Sequence, residues 1–396
     1  MKIVWVNYKR FGEGLSKTSR IEMTKELLRM GHSVYLVVPY SGNRYKFGLG
    51  ENMKYLLTMS RRGFYSLGFS VTLFLYLIPV TLRDTPNIVF LDLKSFFPLV
   101  PFMVLSKLRL IKTKFVLDIR SIPVEVHGRM DRINERIYKA VVSLANSFSD
   151  GVTVISPLMK KQICHVYNID ENNVGIWSSG VSLETFNFEG IDPINEPPFC
   201  NKEFIVMYHG ALSQSRGLQE TVKAIGLLNS TYPNIVFFIL GDGKAKSKLE
   251  LSIKELNLGN NVFLHKSVPY EDVPKYIVSC HIGILPLPNL NWWRVSSPLK
   301  LMEYLAMGKS VIVTDIEAHR EVLNNSPCGI FIKSNNPEEI AQGIIRAYTL
   351  KDKLKEIGKI GREIVAHDYT WKKQADNLMN FLESLQKKKA IYHGIG

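Results

Sequence analysis

Residues Val295 to Val322 read VSSPLKLMEYLAMGKSVIVTDIEAHREV, and this stretch decides the fold. Ser297 is a suitable N-cap, and Pro298 fits the first helical position, where no backbone donor is lost. Leu299 to Met307 carries mostly strong helix formers, and Gly308 suits the residue that ends a helix. Ser310 to Thr314 (SVIVT) is short, β-branched and apolar, the pattern of a buried parallel strand.

The helix start has a chemical use. Its unpaired N–H groups and its dipole favour an anion, and Ser297 and Lys300 share that turn. Glu303 lies one turn further on the same side. A phosphate at the helix mouth and a hydroxyl-rich sugar at Glu303 together make a nucleoside-diphosphate site. A capped surface helix with a Lys–Glu pair is the plainer reading of the same residues.

The chain has 396 residues, enough for two domains of about 150–200. Its four cysteines (Cys164, Cys200, Cys280, Cys328) are scattered and form no C-x-x-C pair. They suggest neither a disulfide framework nor a zinc site, and they fit a reducing cytoplasm. The opening MKIVWVNYKR lacks the layout of a signal peptide. Residues 1–150 hold 23 Lys and Arg against 11 Asp and Glu, a net of +12; residues 151–396 hold 27 against 25, a net of +2. A basic first half suits anionic lipid, nucleic acid or a phosphate-bearing substrate, or is simply a solvated surface. No zinc-finger spacing or RNP signature supports nucleic acid.

In chain order, Lys2–Val6 reads as a strand, followed by a polar loop containing Gly12 and Gly14, a helix over Lys17–Met30 and a strand over Ser33–Val38. The fingerprint G-x-G-x-x-G is missing, and the second strand runs into Pro39 and Tyr40 without an acidic residue. Both points count against an NAD-dependent oxidoreductase. Phe64–Leu82 is the most apolar run and has no charged residue. It is long enough to raise a membrane span, but its place between strands of one α/β domain favours a buried or interfacial helix. A second apolar run covers Phe96–Leu110. The two runs and the basic excess point to contact with an anionic membrane surface; helices covering a sheet are the ordinary alternative. Asp118 and Arg120 follow a strand at Lys114–Leu117, where open α/β sheets place ligands. A salt bridge between the two would explain them equally well. Glu125 and His127 are nearby. Residues 185–202 are rich in Pro and Asn and read as a linker.

Several ordered motifs carry a family resemblance. From Pro298, the pattern P-x-K-L-x-E-Y-x-A-x-G-K-x-V-I-x-x-D, ending in H-R-E, resembles the donor-binding domain of family 4 glycosyltransferases. His209-Gly210-Ala211-Leu212 with Arg216-Gly217 is similar to the family's G-x-L…[KR]-G loop. Gly241-Asp242-Gly243 resembles its G-x-G turn, Ser267-Val268-Pro269-Tyr270 its nucleobase loop, and VLDIRSIPVE (116–125) its D-x-R…P-x-E loop.

The resemblance implies a GT-B fold, with two Rossmann-like domains facing each other across a cleft. Residues 1–184 would form the acceptor-binding domain, 185–202 the linker and 203–368 the nucleotide-sugar-binding domain. Residues 369–386 would form a terminal helix returning to the first domain, and 387–396 a tail. The implied reaction moves a sugar from a nucleoside-diphosphate sugar to a lipid-linked or oligosaccharide acceptor, with anomeric retention. The implied place is the cytoplasm, or the periphery of the inner face of the cytoplasmic membrane. No metal and no cofactor is implied, the nucleotide sugar being a substrate.

Donor-binding roles fall on Gly210, Arg216, Gly241, Gly243, Val268 and Tyr270, and on the helix mouth at Ser296, Ser297, Pro298, Leu299, Lys300 and Glu303. Asp118, Arg120, Arg216 and Lys300 are the catalytic candidates. Gly12, Gly14 and His127 are the acceptor-side candidates. Three departures from the family pattern stand out. Ser178-Ser179 replaces a Pro-Asn turn, Ala211 replaces a basic residue, and Ser296 replaces the first carboxylate of a Glu-x7-Glu motif. The last two motivate an alternative, a non-catalytic relative serving as partner or scaffold in glycan assembly.

Overall fold

Apolar strands buried on both faces require helices on each side, and both halves of the chain meet that requirement with parallel sheets. The computed structural model describes residues 1–11, 18–40, 42, 47–58, 65–123, 128–200 and 204–391, without the side chains of 388–391. The chain forms two units, Met1–Ser178 with Gln374–Gly396, and Ser179–Lys373.

The first unit contains β1 (Lys2–Val6), α1 (Thr18–Arg29), β2 (Ser33–Pro39), β3 (Met53–Leu56), α2 (Tyr65–Pro79), β4 (Ile88–Leu91) and α3 (Phe96–Lys107). It continues with β5 (Lys114–Ile119), α4 (Arg129–Phe148), β6 (Gly151–Val154), α5 (Pro157–Tyr167) and β7 (Val174–Ile176). The sheet order is β3-β2-β1-β4-β5-β6-β7, all parallel. The order reverses between β1 and β4, which opens a crevice at their carboxyl ends. Trp5 fills the core beneath it, stacked on Phe90 at 5.0 Å and edge-on to Trp177 at 5.5 Å. From Tyr65 the apolar run folds into α2 as a crossover, with Phe69, Leu73 and Leu77 buried.

The second unit contains β8 (Phe204–His209), α6 (Leu218–Leu228), β9 (Ile235–Leu240), α7 (Lys246–Glu255), β10 (Val262–His265), α8 (Val273–Val278), β11 (Ile282–Leu285) and α9 (Asn291–Arg294). After these come α10 (Leu299–Ala306), β12 (Val311–Thr314), α11 (Glu317–Leu323), β13 (Gly329–Ile332), α12 (Pro337–Thr349), α13 (Leu354–Asp368) and the start of α14 (Trp371–Ile391). The parallel order β10-β9-β8-β11-β12-β13 reverses between β8 and β11. Alternate residues of β8 enter opposite cores, Phe204, Val206 and Tyr208 on one face and Ile205 and Met207 on the other. Residues 185–202, whose composition reads as a linker, belong to this unit. Phe186 is fully buried with its ring 5.2 Å from Tyr270, and Phe199 lies 4.7 Å from Phe238. The aromatic residues among the prolines give that stretch a surface to pack.

Helix α10 is fixed to the switch point by Tyr304. Its hydroxyl donates to the Met207 carbonyl at 2.9 Å, and its ring lies over Gly283 of β11. A Cβ at Gly283 would stand 2.6 Å from that ring. Gly283→Ala is therefore expected to lower unfolding free energy by about 1–3 kcal/mol through overpacking. A urea midpoint equal to wild type would contradict this packing.

Candidate functional site

The carboxyl ends of β8 and β11 carry the donor-site candidates of the second unit. Gly210 follows β8 at φ +108°, which lets the backbone turn where a side chain is disfavoured. Gly241 and Gly243 serve loop packing. A Cβ on Gly241 would stand 1.9 Å from the Gly210 carbonyl, and one on Gly243 would stand 2.2 Å from the Leu212 carbonyl. The Gly217 position is equally closed, because a Cβ there would meet the Pro286 carbonyl at 2.0 Å. The loop bearing Arg216 is thereby pinned to the end of β11.

Arg216 and Lys300 meet around one phenol. The Lys300 ammonium lies 5.4 Å from the Tyr208 ring centroid. Arg216 lies near the Tyr208 hydroxyl, which donates to the Ala211 carbonyl at 2.9 Å, and its guanidinium is 4.8 Å from the Trp293 ring, whose N–H donates to the Ser215 carbonyl at 2.8 Å. Among the described residues, neither cation has a carboxylate at ion-pair distance. Burial first, and Arg216 second, push the Lys300 pKa down to about 7. The Glu303 charge partly offsets this, and two cations side by side suit a multiply charged anion.

Helix α10 begins differently from the expected cap. Pro298 is the residue before the helix, at φ −76° and ψ 102°, and no side chain caps the first turn. The Ser297 hydroxyl instead accepts from the Ser179 N–H at 2.9 Å, and the Ser179 hydroxyl donates to the Ser297 carbonyl at 2.8 Å. The same Ser-Pro pair at Ser156-Pro157 does cap its helix, with Ser156 accepting from the Met159 N–H at 3.2 Å. A competing backbone donor, Ser179, diverts Ser297 from that role. Among the described residues, the first-turn N–H groups of α10 thus meet no side-chain acceptor. The Ser296 hydroxyl donates to the Trp293 carbonyl at 2.7 Å. Leu299 opens the helix and is half-buried.

Glu303 is only 2% exposed, deeper than a residue on an open helix face. Its Oε2 stands 3.4 Å from Nε2 of the buried His209. Burial raises its pKa to about 7, while the Lys300 charge and the nearby Tyr270 hydroxyl favour the ionised form. Burial and the Lys300 charge hold His209 neutral. Val268 is half-buried against the same core that receives Tyr270. The H-R-E end of the motif is structural. The buried His319 donates from Nδ1 to the Thr314 carbonyl at 2.7 Å, and Arg320 pairs with Asp315 at 2.7 Å.

In the first unit, Asp118 is not paired with Arg120. Its carboxylate is buried and takes an ion pair from Arg20, a hydroxyl bond from Thr153 at 2.8 Å and the Trp177 indole N–H at 3.2 Å. Arg20 also reaches the Asn7 side-chain oxygen at 3.3 Å. Arg120 stacks on Trp177 with its guanidinium carbon 3.4 Å from the ring centroid, and it donates to the Trp177 carbonyl at 2.6 Å. Burial lowers its pKa to about 9. Asp92, at the end of β4, accepts the Tyr8 N–H at 2.6 Å and joins the two strands of the switch point. The sequence reading gave no role to Arg20, Asp92, Trp177 or His209; His209 opens the quoted Gly210 loop, but the partners of all four lie far away in the chain, so no local spacing marks their contacts. Gly12, Gly14 and His127 lie outside the described residues. Among the described residues, no three His, Cys, Asp or Glu side chains gather where a metal ion could sit.

Comparison with known proteins agrees with this architecture. Residues 18–185 match the model described as Glycosyltransferase Family 4, and residues 193–364 match that of Glycosyl transferases group 1. The fold resembles a glycosyltransferase from Rickettsia africae, at 18% identity and a TM-score of 0.74, over 97% of this chain and 98% of that one. It also resembles the Anabaena HepE protein in complex with UDP and glucose, at 15% identity and a TM-score of 0.71, over 97% and 100%. An uncharacterized glycosyltransferase of Methanocaldococcus jannaschii is 23% identical over 62% of each chain. A Campylobacter jejuni N-acetylgalactosaminyltransferase, named for a diphospho-undecaprenol-linked acceptor, is 22% identical over 63% of this chain and 64% of that one. Two parallel-sheet units with these matches define the GT-B class of glycosyltransferases. Within that class the chain belongs to the family 4 type.

The Asp118 cluster gives a direct test. Asp118→Asn leaves the buried Arg20 without a counter-charge and is expected to cost about 3–5 kcal/mol. A urea denaturation curve within about 1 kcal/mol of wild type would show that the pair is dispensable.

Proposed function

We propose that the chain transfers a sugar, with anomeric retention, from a nucleoside-diphosphate sugar to a lipid-linked or oligosaccharide acceptor in cell-surface glycan assembly. The carrying observation is the pair Arg216 and Lys300, held together without a carboxylate at ion-pair distance, beside an uncapped helix start. A diphosphate supplies the charge this arrangement lacks. The UDP bound by HepE and the lipid-linked acceptor named for the C. jejuni relative support the substrate class.

In this reading the bond between the anomeric carbon and the diphosphate breaks while a bond to the acceptor oxygen forms. The acceptor proton passes to the departing diphosphate. Arg216, Lys300 and the first-turn N–H groups of α10 stabilise the charge gathering on that leaving group. Glu303 accepts the pentose hydroxyls once the Tyr270 hydroxyl yields its place. Asp118 acts as a positioning residue that holds Trp177, and through its ring Arg120, at the end of β5. No cofactor takes part. The reaction belongs at the cytoplasmic face of the membrane, where lipid-linked intermediates are met.

Release of UDP or GDP from a panel of sugar nucleotides tests the proposal. Arg216→Ala and Lys300→Ala should each lower kcat/KM about 100- to 1000-fold. Tight nucleotide binding without release, with every acceptor tried, would favour the scaffold reading that Ser296 suggests. Binding of no nucleotide would remove both.

The pH dependence has a fixed sign. Free Lys300 loses its charge as pH rises through about 7, and a bound diphosphate favours the charged form. Nucleoside diphosphate affinity should therefore fall between pH 7 and 9 with proton uptake on binding, and Lys300→Arg should flatten the profile. Calorimetry at pH 8 in buffers of differing ionisation enthalpy reads the proton directly. No uptake would mean that Lys300 is already charged in the free protein.

A further inference from the structure

The first unit turns an apolar, basic-edged layer of helices toward solvent. Right-handed crossovers from β3 rightward across the sheet place α2, α3 and α4 on one face, and α3 packs beside both neighbours. Phe74 of α2 meets Phe102 of α3 at 5.1 Å, so the two helices share one surface. Their inner residues are buried, but their outer ones are not polar. On α2 and the turn that extends it, Leu67, Val71, Leu75, Ile78 and Leu82 follow a spacing of four, four, three and four. That is one stripe of a helix, and its leucines are 58–61% exposed. Within Tyr65–Asp84, an 18-residue stretch has a mean hydropathy of 1.7 yet is only 28% buried. Phe97 and Val104 of α3, Leu108 just after it, and Met130 and Ile133 of α4 are exposed as well.

The charge around this surface is mainly positive: on α4, Asp131 accepts the Gly128 N–H at 3.0 Å and Glu135 pairs with Lys139 at 2.7 Å, while Arg129, Arg132 and Arg136 are exposed. Between residues 65 and 112 there are five Lys and Arg and two carboxylates. Both carboxylates are engaged, Asp84 with Lys2 at 3.8 Å and Asp92 with the Tyr8 and Ser95 N–H groups. At the start of α4, Arg129, Arg132, Arg136 and Ile133 line a recess of about 390 Å³.

We infer that the outer face of α2, α3 and α4 is a docking surface for an anionic lipid bilayer, on which the chain rests without crossing it. Aliphatic side chains enter the acyl boundary while the α4 arginines meet lipid phosphates. A span is excluded by the inner half of α2, whose Phe69, Leu73 and Leu77 are committed to the sheet. The inference extends the lipid-linked acceptor of the proposed function, but it stands on lipid binding and not on turnover.

Co-sedimentation of the full chain with extruded vesicles tests it, using phosphatidylcholine alone or mixed with phosphatidylglycerol. The chain should pellet with the mixed vesicles and less so at high salt, where the arginine contribution is screened. Leu67→Asn/Val71→Asn/Leu75→Asn and, separately, Arg132→Gln/Arg136→Gln should each reduce the bound fraction about tenfold. Single Leu75→Asn replaces the triple variant if circular dichroism shows that the latter fails to fold. Absence of the wild type from the mixed-vesicle pellet at low salt would overturn the inference, as would equal binding by folded variants. So would a concentration-dependent dimer that the aliphatic variant dissociates, since the face would then belong to a second copy. Nucleotide release measured without vesicles separates this outcome from failure of the transferase reading.

Discussion

Two positive side chains, Arg216 and Lys300, share the neighbourhood of one phenol, and the donor end of the second unit is arranged around that repulsion. Like charges this close persist only where the surrounding structure holds them. Gly217 closed against Pro286 fixes one cation, and Tyr304 seated on Gly283 fixes the helix that carries the other. Neither anchor carries a charge of its own.

The first unit solves the same topological problem with the opposite electrostatics. At its switch point the charges are already compensated: Asp118 is saturated by Arg20, Thr153 and Trp177, and Asp92 ties β1 to β4. Arg120 is held by stacking and a carbonyl rather than by a carboxylate, so its charge is less neutralised than its neighbour's. One sheet end is thus satisfied and comparatively rigid, while the other retains an unmet demand.

Much of the architecture was legible in the chain, because apolar β-branched runs such as SVIVT and FIVMY have few alternatives to a parallel sheet. Lys300 and Arg216 were legible as cations near a helix mouth. The detailed chemistry was less so. Ser297 resembles a cap in sequence, but a donor 118 positions away captures its hydroxyl. The partner of Asp118 lies 98 positions away in α1, not two positions along in the same loop. The burial of Glu303 depends on His209 and Tyr270, which reach it from other strand ends. The stretch 185–202 has the composition of a tether, yet Phe186 and Phe199 seat it in a core. In each case a long-range contact outweighed a correct local preference.

Helix α14 has a bearing on how the protein is made. Trp371 to Lys373 count with the second unit, and the remainder counts with the first. Phe381 and Leu385 fill the space left open by Gly175 and Gly151, and the Lys114 ammonium reaches the Leu385 carbonyl. The ribosome delivers this helix only after the whole of the second unit. The first unit therefore emerges early but waits with two strands uncovered until that helix has been made, and its neighbour in the chain has every opportunity to mature before it.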